Sequence, residues 1–96
     1  MFVISLTYKA PLAEVDHHLA AHVAWLDAAI TEGWLLMAGR KEPRDGGILL
    51  ARGVRETIAR KAAGDPFVVN GVAEIEITEF LPGRIAPDTL LESLIP

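Results

Sequence analysis

Three histidines, His17, His18 and His22, fall close together in a chain that has no cysteine. Thiolate nucleophiles and thiolate metal sites are closed to it, and imidazole is the side chain whose ordinary titration lies near neutral pH. His22 stands foremost. On a helix turning about 100° per residue it falls roughly 60° from the centre of an apolar stripe, with His18 and Trp25 on the same flank. An imidazole on the border between core and solvent is partly desolvated and still within reach of a ligand, the setting of an acid–base residue. The same spacing suits a histidine that only packs, with one ring nitrogen bonded to a carbonyl.

Asp65 is the second candidate. It follows Gly64 and precedes Pro66, the pattern of a helix N-cap with proline at the first helical position. A carboxylate has two oxygens, so one can cap while the other holds an imidazole N–H. A metal site is not expected. His18 and His22 are four apart and share a face, but His17 points elsewhere and no glutamate completes an H-E-x-x-H arrangement. Ser5, Thr57 and Ser93 lack a G-x-S-x-G setting, and Gly46-Gly47 reads as a turn with no Lys-Ser/Thr pair behind it. Glu74 and Glu76, two apart on one strand face, read as solvated.

These groups must be held by elements that the periodicity predicts. Phe2 to Tyr8 alternate as a strand, with Phe2, Ile4, Leu6 and Tyr8 on one face and Val3, Ser5 and Thr7 on the other. From Leu12 to Glu32, the residues Leu12, Val15, Leu19, Val23, Leu26 and Ile30 form a helical stripe that Gly33 ends. Trp34 to Ala38 and Ile48 to Ala51 read as two strands joined by a long charged loop, Lys41 to Gly47. Val54, Ile58 and Ala62 mark a shorter helix ending at Gly64. Asp65-Pro66 starts a turn that runs to Asn70-Gly71, and Val72 to Phe80 is the last strand, with Ala73, Ile75 and Ile77 facing opposite to Glu74, Glu76 and Thr78. Strand, helix, strand, strand, helix, strand is the order of an α+β ferredoxin-like fold, βαββαβ, with a four-stranded antiparallel sheet and two helices on one face. The face without helices carries Ser5 and Thr7, which are taken to line a cleft. Residues 1–82 make this domain. Residues 83–96 form an apolar tail, with a helix start at Pro87-Asp88 and then Leu90, Leu91, Leu94 and Ile95, expected to dock on a partner subunit.

Composition sets the company the domain keeps. The chain has 96 residues, 51% of them apolar, and a mean hydropathy of +0.31. A domain of this length buries only about 60–65% of its unfolded surface, so the apolar surplus predicts a homodimer or higher homo-oligomer. With a net charge of −4 and no basic stripe, nucleic acid is not an expected partner. No apolar run reaches the roughly 18 residues of a membrane span. The N-terminus alternates as a strand and lacks the positive start of a signal peptide. A cytoplasmic location is expected.

Ala21-His22 with Leu26, Glu32-Gly33, Leu36, Ala38-Gly39, Asp65-Pro66-Phe67 and Gly71-Val72-Ala73-Glu74 occur in an order that resembles the YciI-like family, over about residues 1–81. The resemblance implies a ferredoxin-like domain that pairs through its sheets into a dimeric α+β barrel. It also implies a His–Asp active site, which maps onto His22 and Asp65. The family includes a chlorohydroxyhydroquinone dehydrochlorinase, and the wider fold includes muconolactone isomerase. One position departs: the family commonly has proline after the Ala-Gly that ends the second strand, where this chain has Arg40. A changed cleft rim is expected there.

Two functions follow. In the first, the protein is a small-molecule lyase, isomerase or dehalogenase-type enzyme. Asp65 orients His22, the imidazole moves a proton, Trp25, Ser5 and Thr7 contact the substrate, and Arg40 holds an anionic group. Such acid–base chemistry needs no metal or organic cofactor, and none is expected. In the second, it is a non-catalytic dimeric module that binds a ligand or serves as an accessory subunit.

Overall fold

The computed structural model describes residues 1–87 and 89–94. Strand β1 (Phe2–Tyr8) runs through the middle of the sheet. Its alternation holds: Phe2, Ile4 and Leu6 are buried on one face, while Val3, Ser5 and Thr7 turn to the other. Full burial of each large apolar side chain contributes about 1.5–3 kcal/mol. The other strands are β2 (Leu35–Arg40), β3 (Gly46–Ala51) and β4 (Ala73–Glu79). All pairings are antiparallel and the order is β2-β3-β1-β4, the ferredoxin-like arrangement the sequence predicts.

Helices α1 (Leu12–His17), α2 (Leu19–Glu32), α3 (Arg55–Ala62) and α4 (Pro66–Val69) cover one face of this sheet. Val15, Ala29, Ile58, Ala62 and Phe67 from the helices close one core with Phe2, Ile4, Leu6, Leu49 and Ala51 from the strands. The open face carries Val3, Ser5 and Thr7 beside Met37, Ile48 and Leu50 on one side and Glu74, Glu76 and Thr78 on the other.

Three expectations change. The helix from Leu12 to Glu32 is two helices, broken at His18, whose N–H bonds to Val15 three residues back. The break re-aims the second piece. Its buried side is Ala29 with half-buried His18, His22, Trp25 and Leu26, offset by about one residue from the predicted stripe. Leu12, Leu19, Val23 and Ile30 are left 38–50% exposed. Tertiary contacts of the aromatic side chains outweigh the aliphatic count here.

The second change is the hairpin. Gly46 and Gly47 are ladder residues of β3 and not part of a turn, so the loop shrinks to residues 41–45. A Cβ on Gly46 would stand 1.8 Å from the Leu6 carbonyl oxygen. Glycine marks a close approach of two strands at this point. The third change is that the turn begun by Asp65-Pro66 winds into a short helix of its own, α4, separate from α3. Gly33, with φ of 92°, ends α2 as predicted.

Beyond β4, Leu81 and Leu90 are exposed and Leu90–Leu94 forms a 3-10 turn. Of the predicted tail, Asp88, Ile95 and Pro96 lie outside the described residues. No helix among the described residues is long and apolar enough to cross a membrane.

Candidate functional site

After α3 the chain turns so that the Asp65 N–H bonds to Ala62, and Pro66 opens α4. Asp65 is the N-cap of that short helix: its Oδ1 accepts the Phe67 N–H at 2.9 Å. A cap of this kind is worth about 0.5–2 kcal/mol. The side chain is 1% exposed, so the helix start carries a carboxylate into the core.

His22 comes from the first turn of α2 to meet it. Its Nδ1 lies 2.8 Å from Asp65 Oδ1, and its side chain is 12% exposed. The ring is stacked on Phe67, with centroids 3.9 Å apart and planes 9° off parallel. Tyr8 meets the far edge of Phe67 at 5.9 Å. One oxygen of Asp65 therefore accepts from both the Phe67 amide and the His22 ring. The expectation that the two oxygens divide these tasks is corrected: Oδ2 is buried and accepts no hydrogen bond from the described residues. This oxygen already accepts the Phe67 amide, so the contact suits the tautomer of His22 with its proton on Nδ1. Nε2 then presents a lone pair and bonds to no described residue.

His22 lines a cavity of about 420 Å³ between α2 and the β2–β3 side of the sheet. Leu6, Tyr8, Leu26, Leu49 and Phe67 supply apolar wall, and Asp16, Arg40 and Arg44 supply charge. Arg44 reaches from the loop before β3 to the Asp16 carboxylate on α1 and lies over the Tyr8 ring, 5.9 Å from its centroid. The hydrogen bond from Arg44 holds the Asp16 carboxyl below the ordinary aspartate range.

The predicted site residues separate into two groups. His22 and Asp65 are brought together, and Arg40 lines the same cavity. Trp25 lies behind His22, with centroids 6.4 Å apart, and packs edge-on against Trp34 at 5.6 Å without lining the cavity. Ser5 and Thr7 are on the open face of the sheet, on the side away from the cavity, because neighbours along a strand point to opposite faces. The polar face of β1 is thus not the cavity face. Tyr8 and Asp16 line the cavity without having been singled out as site residues, while Phe67 belongs to the Asp65-Pro66-Phe67 motif and Arg44 to the charged hairpin. Alternation with Leu6 was a signal for Tyr8, and the amide caught by Asp65 was one for Phe67. Among the described residues no group of three His, Asp or Glu side chains is placed to hold a metal ion.

The fold is shared with the 5-chloro-2-hydroxyhydroquinone dehydrochlorinase of Burkholderia phenoliruptrix, solved as a complex with 2,5-dihydroxybenzoquinone. That structure is 17% identical, covering 86% of this chain and 96% of its own, with a TM-score of 0.69. At this identity the likeness is one of architecture. Among curated proteins none matches the sequence. The model of the YCII-related domain matches residues 1–81, from the start of β1 to just past the end of β4, and the chain belongs to that family.

Proposed function

We propose that the protein is a small-molecule enzyme of the lyase, isomerase or dehalogenase type, in which His22 and Asp65 move a proton on a substrate held in the cavity. The observation that carries this is the 2.8 Å contact between His22 Nδ1 and Asp65 Oδ1 at the wall of that cavity. Asp65 fixes the ring and its tautomer and balances the imidazolium that forms; Nε2 takes the proton. In an elimination, the electron pair of the broken O–H or C–H bond becomes the new π bond, and the leaving group departs with its own bonding pair. General acid–base help of this kind is worth about 10²–10⁴-fold. The structural neighbour's dehydrochlorinase activity supports a reaction of this class.

Chloride release from a panel of chlorinated hydroxyhydroquinones tests the proposal. Wild type is expected to release chloride and His22→Asn to lose that activity, with the molar mass unchanged. Release that survives in His22→Asn would sink it.

A second reading is a non-catalytic dimeric ligand-binding module, favoured by the close stacking of His22 on Phe67. It predicts a saturable ligand and no turnover with any member of the panel. In either reading the protein is proposed to work as a cytoplasmic homodimer, joined through the open sheet face where Val3, Met37, Ile48 and Leu50 lie together.

A further inference from the structure

The cavity wall is charged against the trend of the chain. The protein carries a net charge of −4, yet Arg40, Arg44 and Asp16 leave the cavity wall with one positive charge in excess. The two guanidinium groups are not equivalent. Arg44 is answered within the protein by Asp16 and by the face of Tyr8. Arg40 ends β2 and has no ion-pair partner among the described residues. Its register opposite Gly47 puts it on the helix-bearing face of the sheet, and a glycine there has no side chain to cover it. Most of the remaining wall is apolar, and the volume is at the lower end of the range for small-ligand sites.

We propose that the cavity selects small apolar monoanions: Arg40 takes the single anionic group, and Asp16 turns away a second one. This rests on the cavity being the substrate site. A monoanion accepts a charge-assisted hydrogen bond from Arg40 at the exposed edge of the cavity while its apolar body meets the wall. A neutral ligand forgoes the charge in that bond. A dianion must place its second group near Arg44, which already donates through Nη2 to Asp16, and the Asp16 carboxylate repels that group.

Calorimetric titration with benzoate, benzamide and isophthalate, at neutral pH and fixed ionic strength, tests this without any turnover. Benzoate is expected to bind about tenfold or more tighter than benzamide, and also tighter than isophthalate. Arg40→Gln should bring benzoate down to the level of benzamide. Asp16→Asn should narrow or reverse the preference for benzoate over isophthalate by releasing Arg44. Both side chains are exposed, and circular dichroism checks that each variant is folded. Benzoate binding no better than benzamide, or not at all, overturns the proposal. So does an Arg40→Gln variant with unaltered benzoate affinity, or an Asp16→Asn variant with an unaltered preference. Failure of chloride release leaves these results standing, so charge selection and proton transfer are judged apart.

Discussion

Across 43 positions of chain, His22 Nδ1 and Asp65 Oδ1 meet at 2.8 Å, and the oxygen that meets the ring is the one that caps α4 through the Phe67 N–H. A structural cap and a candidate catalytic contact thus share one atom. Fixing the start of α4 fixes the carboxylate, and with it the plane of the imidazole that rests on Phe67, the second residue of that helix. The two roles separate by substitution. Asparagine still caps well and keeps an acceptor oxygen, whereas alanine removes both contacts. Asp65→Ala is expected to lower the unfolding free energy by about 1–3 kcal/mol in urea titration, and Asp65→Asn by less than half as much. Equal losses in the two variants would mean that the charge, and not the cap, holds this corner.

The same contact sets the tautomer. In the neutral ring of His22 the proton is expected on Nδ1, read from the ¹⁵N shifts of labelled histidine. Removing the acceptor with Asp65→Ala should move the proton to Nε2, the site that free histidine side chains prefer. A ring protonated on Nε2 in the wild type would leave that nitrogen without a lone pair, and the proposed base would be gone.

Gly46 makes a sharp stability prediction. Its missing Cβ would overlap the Leu6 carbonyl, whereas a Cβ on Gly39 would meet nothing within 4 Å. Gly46→Ala must push β3 off β1 at the floor of the cavity, a backbone conflict expected to exceed about 3 kcal/mol or to prevent folding. Gly39→Ala should stay within about 1 kcal/mol of wild type. Thermal unfolding followed by circular dichroism compares the two. Similar melting temperatures would show that the sheet yields more easily than its register implies.

What was legible in the sequence was local. The alternation of β1, the stop at Gly33 and the cap at Asp65-Pro66 each depend on a few neighbouring residues, and each is found in place. The direction in which α2 turns its side chains was not legible. Six aliphatic residues outvote one aromatic ring and two histidines in a periodicity count, yet the partners that decide the matter, Asp65 and Phe67, lie some forty positions away. Ser5 and Thr7 were misplaced for a related reason. Alternation tells which residues share a face, but only the helices decide which face encloses the cavity. Arg44 and Asp16 looked like ordinary solvated charges because their contact joins two distant segments.

The Asp16–Arg44 pair gives a pH prediction. Arg44 holds the Asp16 carboxyl below its ordinary range, so the folded state takes up this proton less readily than the unfolded chain. The stabilisation is therefore present above the unfolded value and lost as pH falls through the folded one. Arg44→Gln should raise the Asp16 midpoint into the ordinary range, as followed by ¹³C NMR of the carboxyl. The acid-unfolding midpoint should barely move, because exposed pairs are strongly screened. An Asp16 midpoint unaffected by the substitution would mean that the pair does not persist in solution.

The last prediction concerns two of the apolar surfaces left open, one on the bare sheet and one on α2. On the sheet, Met37 and Ile48 are exposed beside Val3 and Leu50, and strands there present a flat, continuous patch. On α2, Leu19, Val23 and Ile30 are spread along a single helix, with Leu19 and Val23 at the cavity. A flat patch buries more area against its own copy than a narrow ridge does, so the dimer is expected on the sheet. Light scattering at micromolar concentration should give twice the 10.4 kDa chain mass. The double change Met37→Glu and Ile48→Glu should give the chain mass with circular dichroism retained, while Ile30→Glu should leave the dimer intact. If the α2 variant is the one that dissociates, the subunits meet through the helices, and the sheet face is open for another use.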